Sequence, residues 1–199
     1  MTPKPCWIET IDEESADPAL KAAYDQVRGP GGKTYNLYRA FSLRPAPMVP
    51  ADQHYRAVLH NPENALEKWI LEMVATYVAI RADCTYARTH HGANFLSLLD
   101  DETRGPKMMA AMERDDFSRE FDPREKAIMI YTQKLTATPH KMREEDLVPL
   151  REVGLNDVEI LEVNQACAAF AYWVRHINGL GISLTGEPGV GLYGNEAEA

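Results

Sequence analysis

EMVATYVAIRADCTYARTHHG, which spans residues 72–92, is the segment that decides the fold. Its first half belongs to an apolar stretch, 65–82, in which hydrophobic side chains cover most of a helix circumference. That pattern is typical of a central helix. Asp83 is predicted to cap a second helix, from Cys84 to Leu99, because an acidic side chain suits the positive end of a helix. We therefore predict two consecutive helices joined at Asp83.

The rest of the chain carries the same helical signal. Apolar residues recur at three- and four-residue spacing, and the alternation typical of strands is nearly absent. The sequence therefore predicts an all-α bundle, with a single domain over 1–185 and a frayed or extended tail over 186–199. Prolines 45, 47 and 50 are expected to precede the third helix. The other predicted helices are Pro18–Val27, Asn36–Ser42, Ala51–His60, Glu102–Arg114, Asp122–Ala137, Arg143–Val153 and Asn156–Leu180.

Composition excludes several classes of function. The chain has 199 residues, a formal charge of -9 and 45% hydrophobic residues, which is enough for a core. A sequence-independent nucleic-acid binder needs a basic stripe, so no nucleic-acid partner is expected. No apolar run approaches the roughly 20 residues that span a bilayer, and the N-terminus lacks the layout of a signal peptide. We expect a cytoplasmic protein that has no membrane partner.

The three cysteines, Cys6, Cys84 and Cys167, are too few and too widely spaced for a disulfide framework or a four-ligand zinc site. They are expected to be reduced thiols. The metal-binding patterns H-E-x-x-H and H-x-x-E-H and paired E-x-x-H motifs are absent from the sequence. No metal and no cofactor are therefore predicted.

The residues that carry chemistry lie in the opening segment. Glu72 is followed after twelve residues by Cys84, and seven residues later by His91. A helix turns about 100° per residue, so positions 84, 87 or 88, and 91 form one stripe. His91 is one turn from Ala87, whereas Cys84 lies roughly 10 Å away along the axis. A glutamate on the preceding helix is placed to orient or protonate this histidine.

This pattern resembles that of the alkylhydroperoxidase D-like proteins, in the carboxymuconolactone decarboxylase superfamily. Their pattern has a Glu, twelve residues to the first Cys, then C-x-x-C-x-x-x-H with an aromatic residue or His before the second Cys. The segments YNLYRAFSLRP (35–45) and LTATPHKMREEDLVPLREVGLNDVEI (135–160) are similar to the peroxidase-related branch, so the resemblance covers most of the chain. The second cysteine is replaced by Ala87. The matching residues are Glu72, Cys84, Tyr86, His91 and Gly92.

The resemblance implies a catalytic set of Cys84, His91 and Glu72. In the family the thiol next to the histidine attacks, so Ala87 leaves the relay from Glu72 to His91 without its thiol. Cys84 remains at a helix N-terminus, where the dipole favours a thiolate. Recycling would then require Cys6, Cys167 or an external thiol reductant. The supporting residues are Tyr86, Arg88, which is placed to assist Cys84, and His90, which is expected to be exposed or at a subunit contact.

Three functions remain open. The first two require a small-molecule substrate, and the third requires none. The first, which the flanking segments and the retained Cys84 and Tyr86 favour, is a thiol peroxidase, in a degenerate or one-cysteine form that uses Cys84. The second is a non-redox acid–base enzyme, acting on a lactone or carbon acid through Glu72 and His91. The third is a non-catalytic scaffold. Each of these residues also has a purely structural alternative. Cys84 would then be a small buried hydrophobic residue, Glu72 an exposed residue and His91 a packing residue. The resemblance also implies a homo-oligomer, as a dimer, trimer or hexamer.

Overall fold

The computed structural model describes residues 4–29, 32–187 and 189–191. Every regular element within these ranges is helical, which confirms the predicted all-α class. Two short 3₁₀ turns, Pro139–Lys141 and Glu144–Leu147, follow the seventh helix. The α-helices are α1 (Pro18–Gln26), α2 (Asn36–Arg39), α3 (Met48–Leu59), α4 (Lys68–Arg81), α5 (Thr85–Leu99), α6 (Arg104–Arg114), α7 (Pro123–Ala137), α8 (Val148–Glu152) and α9 (Asp157–Leu180).

Helix α4 is the centre of the bundle, as its apolar sequence predicts. Ten of its residues are buried, from Ile70 to Ala79 without a gap. The helix packs against α5 and α9 most extensively, and also contacts α3, α6 and α7. An apolar surface on all sides stabilises a helix only when neighbours cover all of it, and this arrangement supplies them. The polar side chains within this buried stretch, such as Glu72 and Thr76, therefore lie inside the protein.

The predicted caps fix where the longer helices begin. Asp17, Asp122 and Asn156 each accept hydrogen bonds from backbone N–H groups in the first turn of the helix that follows. These side chains satisfy donors that have no partner within the helix. At its other end α9 stops at Gly181, which has a φ of 59°. A Cβ there would lie 2.0 Å from Cε2 of Trp7, so only glycine fits this approach.

The predicted cap at Asp83 is wrong. Asp83 has a φ of 49°, in the left-handed region that a short polar side chain tolerates, and it ends α4. Cys84 takes the cap position of α5 instead, and its side chain makes no capping hydrogen bond. The N–H of Cys84 donates to the carbonyl oxygen of Ala79 at 2.9 Å, which ties the corner back to α4. The turn from α4 to α5 is therefore only three residues long.

Proline explains two further differences from the prediction. Helix α3 begins at Met48 and takes Pro50 into its first turn, where a missing N–H costs no hydrogen bond. The helix predicted over Arg143–Val153 is divided into a 3₁₀ turn and α8, with Pro149 at the start of α8. In addition, α2 ends at Arg39 and continues as turns.

Two residues beyond the predicted boundary at 185 contact the domain. Glu187 accepts a hydrogen bond from the N–H of Asn36 through Oε1, at 3.0 Å. The hydroxyl of Tyr35 donates to the carbonyl oxygen of Gly191 at 3.4 Å. Residues 188 and 192–199 of the predicted tail lie outside the described residues. None of the helices within the described ranges is long and apolar enough to cross a membrane.

Candidate functional site

A cavity lies between α2, α3, α5 and α9, and its lining is dominated by aromatic rings. Its empty space, including the open mouth, is about 650 Å³. Helix α5 supplies one wall with both of its neighbouring histidines, and α9 supplies the opposite wall. The lining residues are Val27, Gly29, Tyr35, Leu37, Tyr38, Tyr55, Arg56, Tyr86, Ala87, His90, His91, Asn94, Phe170, Trp173, Ile177 and Gly191.

Glu72 and His91 meet at the base of this cavity. Nδ1 of His91 lies 2.7 Å from Oε2 of Glu72, and Nδ2 of Asn94 donates to Oε1 of the same carboxylate at 3.0 Å. Glu72 is fully buried. A buried carboxylate is costly unless it is paired and hydrogen-bonded, and both conditions hold here. The alternative that Glu72 lies on an exposed face is wrong, and the predicted contact with His91 is present.

The imidazole of His91 is held in one orientation. Its ring packs edge-on against Phe170, with ring centroids 4.4 Å apart, and lies 5.8 Å from the ring of Tyr55. We assign the Nδ1 proton from the hydrogen-bond pattern, because an ionised Glu72 only accepts. In that tautomer Nε2 carries a lone pair. His91 lines the cavity, so this arrangement presents a base to a bound molecule.

A second histidine lies on the other side of Glu72, and it is not among the site residues that the sequence predicts. Nε2 of His60, at the end of α3, lies 3.8 Å from Oε1 of Glu72 and 2.8 Å from the hydroxyl of Tyr55. Burial lowers the pKa of His60 to about 4, although the charge of Glu72 opposes this shift. His60 is therefore neutral at pH 7. The spacing between Tyr55 and His60 gave no signal, because only the packing of α3 on α4 brings them to Glu72.

Cys84 and Ala87 have different surroundings. Ala87 lines the cavity one helical turn from His91, as the stripe predicts. Cys84 is 1% exposed and is not among the described residues that line the cavity. Burial raises the pKa of the Cys84 thiol, the charge of Asp83 adds to this, and the N–H of Ala87 opposes it. Burial therefore opposes the thiolate that a helix N-terminus is expected to favour at Cys84.

Arg88 does not face Cys84 as predicted. Its guanidinium forms an ion pair with Glu113 of α6, and half of its side chain is exposed. The pair lies on the outer side of α5, where solvent screens the arginine charge. Arg88 therefore links α5 to α6, and it is not among the described residues that line the cavity.

His90 was predicted to be exposed or at a subunit contact, and the first of these alternatives is wrong. It is 9% exposed and lines the cavity, and its ring packs at a tilt against Tyr86, which also lines the cavity, with ring centroids 4.7 Å apart. Nδ1 of His90 accepts a hydrogen bond from the N–H of Gly191 at 3.2 Å, so its proton lies on Nε2. That Nε2 is buried without a hydrogen-bond partner among the described residues. Burial, with a smaller effect of His91, lowers the pKa of His90 to about 4.

The described residues contain no group of three or more His, Cys, Asp or Glu side chains placed to hold a metal ion. All three cysteines are buried and free. Cys167 lies far from the site in the chain and contacts the hydroxyl of Thr136 at 3.4 Å. The polar groups of the cavity are therefore imidazole, phenol, amide, indole and guanidinium groups, which can move protons and form hydrogen bonds.

No family model and no curated protein matches the chain. Several solved structures match over most of its length. An alkylhydroperoxidase D core protein, an uncharacterized peroxidase-related protein from Ralstonia eutropha JMP134, is 18% identical with a TM-score of 0.78, covering 92% of this chain and 93% of that one. An uncharacterized peroxidase-related protein from Silicibacter sp. TM1040 is 21% identical, with a TM-score of 0.75, and covers 92% and 94%.

A third solved structure has a ligand. It is a cysteine-to-alanine variant of the debrominase Bmp8 in complex with 2,3,4-tribromopyrrole, 12% identical with a TM-score of 0.70, covering 88% of this chain and 89% of that one. The agreement in topology over nine-tenths of the chain is the basis for assigning the fold. The chain has the helical fold of the alkylhydroperoxidase D core.

Proposed function

We propose that this protein is an acid–base enzyme that removes a proton from a carbon acid, or opens a lactone, without a redox thiol. The observation that carries the proposal is the 2.7 Å contact between Glu72 and His91, in a cavity where the position next to the histidine is Ala87. An oriented, carboxylate-paired imidazole is a general base whether or not a thiol is present. The small methyl group of Ala87 leaves room for the substrate at that position.

The lining indicates the class of substrate. Its aromatic rings favour a small, largely apolar molecule, and its charged side chain Arg56 is already paired with Asp52 at 2.7 Å. Two buried N–H groups of lining residues, on His90 and Trp173, have no partner within the described parts of the chain. Buried donors are stabilised by an acceptor, so a carbonyl or lactone oxygen suits them. We infer an uncharged carbonyl compound or lactone.

The chemistry follows from the hydrogen bonds of Glu72. As Nε2 of His91 takes a proton from carbon, the ring becomes an imidazolium whose Nδ1–H points at the carboxylate. Glu72 stabilises this positive charge, and Asn94 keeps the carboxylate in place. For a lactone, the same base removes a proton from water as the water attacks the carbonyl carbon. The imidazolium then gives this proton to the ring oxygen as the bond between that oxygen and the carbonyl carbon breaks.

Ring opening of nitrobenzisoxazole tests the base directly, because removal of one C–H proton breaks the N–O bond and releases a coloured cyanophenolate. We expect His91-dependent turnover, reduced by about 100-fold or more in His91→Ala and Glu72→Gln, the typical range for general-base catalysis. Cys84→Ser is the matched control and is expected to turn over like the wild type. Turnover that is unchanged in His91→Ala, or absent from the wild type, would overturn the proposal.

A one-cysteine thiol peroxidase that uses Cys84 is the second candidate. It is favoured by the alkylhydroperoxidase and peroxidase-related proteins that share the fold. It ranks second because the Cys84 thiol is buried away from the cavity and its pKa is raised by burial. Consumption of cumene hydroperoxide with dithiothreitol, lost in Cys84→Ser, would reverse this order. Failure of both assays would favour the non-catalytic scaffold.

We also propose that the chain forms a homo-oligomer through α9. Three apolar side chains on one side of this helix are about half exposed: Val158, Leu161 and Tyr172. Contiguous exposed apolar side chains are typical of contact surfaces between subunits. Light scattering after size exclusion measures the number of subunits, and Leu161→Glu is expected to lower it.

A further inference from the structure

The hydroxyl groups of the cavity are its candidate proton donors. Four tyrosines among the described residues line it, and the hydroxyls of three of them lie beside groups that accept the phenol proton in a hydrogen bond. Tyr38 donates to Oδ1 of Asp52 at 2.5 Å, and Tyr35 donates to the carbonyl oxygen of Gly191 at 3.4 Å. Burial, together with the charge of Glu187, raises the pKa of Tyr86 well above its ordinary value.

The fourth tyrosine, Tyr55, has a different partner. Its hydroxyl lies 2.8 Å from Nε2 of His60. A neutral imidazole accepts and returns a proton, which a backbone carbonyl does not do. Burial keeps His60 neutral at pH 7, with a pKa of about 4. The phenol of Tyr55 therefore has a partner that can exchange protons with it.

Tyr55 also lies next to the base. Its ring lies 5.8 Å from the ring of His91, and both residues line the cavity. Trp173 packs edge-on against Tyr55 at 6.4 Å and limits its movement. Nδ1 of His91 is hydrogen-bonded to Oε2 of Glu72 at 2.7 Å, and Nε2 of His60 lies 3.8 Å from Oε1 of the same carboxylate. The base and the partner of the phenol therefore lie on the two sides of one buried carboxylate.

We propose that Tyr55 is the acid of the reaction, and that its phenol protonates the oxygen on which negative charge develops when His91 removes a proton from carbon. This inference rests on the proposed function. Nε2 of His91 takes the proton, the C–H electron pair moves towards the oxygen, and the O–H bond of Tyr55 breaks as the new O–H bond forms. The imidazolium then releases its proton to solvent, and the tyrosinate takes one up. His60 is a positioning residue that holds the phenol.

The dependence of rate on the leaving group tests this assignment. Acid catalysis matters most when the departing oxygen is a strong base, so unsubstituted benzisoxazole needs the acid more than nitrobenzisoxazole does. We expect Tyr55→Phe to lose about 100-fold on the unsubstituted compound and only a few-fold on the nitro compound. His60→Ala is expected to change the selectivity in the same direction and by less. Tyr24→Phe is the matched control, because it removes a hydroxyl that donates to the carbonyl oxygen of Ile11, and Tyr24 is not among the described residues that line the cavity. We expect it to keep the wild-type ratio of the two rates.

The outcomes distinguish the role of Tyr55 from the proposed function. A loss in Tyr55→Phe that is equal for both compounds, or no loss, overturns the inference while His91-dependent turnover still supports the proposed function. If the wild type has no His91-dependent turnover, both fail together. Thermal unfolding of Tyr55→Phe, followed by circular dichroism, confirms that the variant is folded before the rates are compared.

Discussion

The start of α5 and the segment one to two turns further along the helix have different surroundings. At the start of the helix Cys84 is buried in the corner with α4, with the pKa of its thiol raised by burial. One to two turns later, Ala87 and His91 face an aromatic cavity and Glu72 pairs with the imidazole. The same helix therefore carries a thiol without access and a base without a thiol. The difference shows that a motif residue has a role only where its side chain meets the substrate.

The largest effect is expected from placing a thiol beside the base. Ala87→Cys puts a thiol one turn from His91 and three residues from Cys84. The imidazole can then remove the proton of this thiol and leave a thiolate. We expect consumption of cumene hydroperoxide with dithiothreitol to rise by about 100-fold or more over the wild type. The measurement is the loss of peroxide with time.

Ala87→Ser is the matched control for that variant, since it has nearly the same size and no thiol. It is expected to leave peroxide consumption at the wild-type level. If Ala87→Cys gains nothing while it folds normally, the two ends of α5 do not differ in the way the cavity implies.

The sequence predicts the part of this comparison that depends on neighbouring helices. The apolar pattern of α4 placed Glu72 inside the protein, and helix periodicity placed His91 one turn from Ala87. The approach of Tyr55 and His60 to Glu72 was not predictable in this way, because α3 is brought there by tertiary packing. The surroundings of His90 depend on Gly191, about a hundred residues away in the chain.

Stability should also differ between the two ends. His91→Ala removes a partner of a fully buried carboxylate, and breaking a buried pair costs about 3 to 5 kcal/mol of unfolding free energy. Cys84→Ser is expected to cost only about 1 to 2 kcal/mol, because it places one hydroxyl in a buried corner. Urea denaturation of both variants measures the difference. Equal losses would indicate that Glu72 does not depend on His91 for its stability.

The buried histidines predict a loss of stability in acid. Burial lowers the folded-state pKa of His90 to about 4, below its ordinary value of 6.5, so the unfolded chain binds more protons between these values. The unfolding free energy therefore falls as the pH drops from 6.5 towards 4, by roughly 3 kcal/mol for this residue. His90→Phe is expected to reduce this fall, measured by urea denaturation at pH 7 and 4.5.

The control for the pH prediction is His54→Gln, which changes an exposed histidine of α3. It is expected to leave the fall in stability between the two pH values unchanged. The same fall in the wild type and in His90→Phe would show that the proton affinity of His90 is not altered by folding.

The smallest expected effect concerns ligand recognition on the cavity side of α5. Acetophenone and α-methylstyrene have nearly the same shape, and only the first has an oxygen that accepts a hydrogen bond. The buried Nε2–H of His90 has no partner among the described residues, so a ligand oxygen there gains about 1 to 1.5 kcal/mol, or roughly tenfold in affinity. We expect wild-type protein to prefer acetophenone by about this factor in calorimetric titrations. His90→Phe keeps the ring and removes the donor, so the preference should disappear while both ligands still bind. Equal binding of the two ligands by the wild type would mean that the imidazole packs the cavity wall and takes no part in recognition.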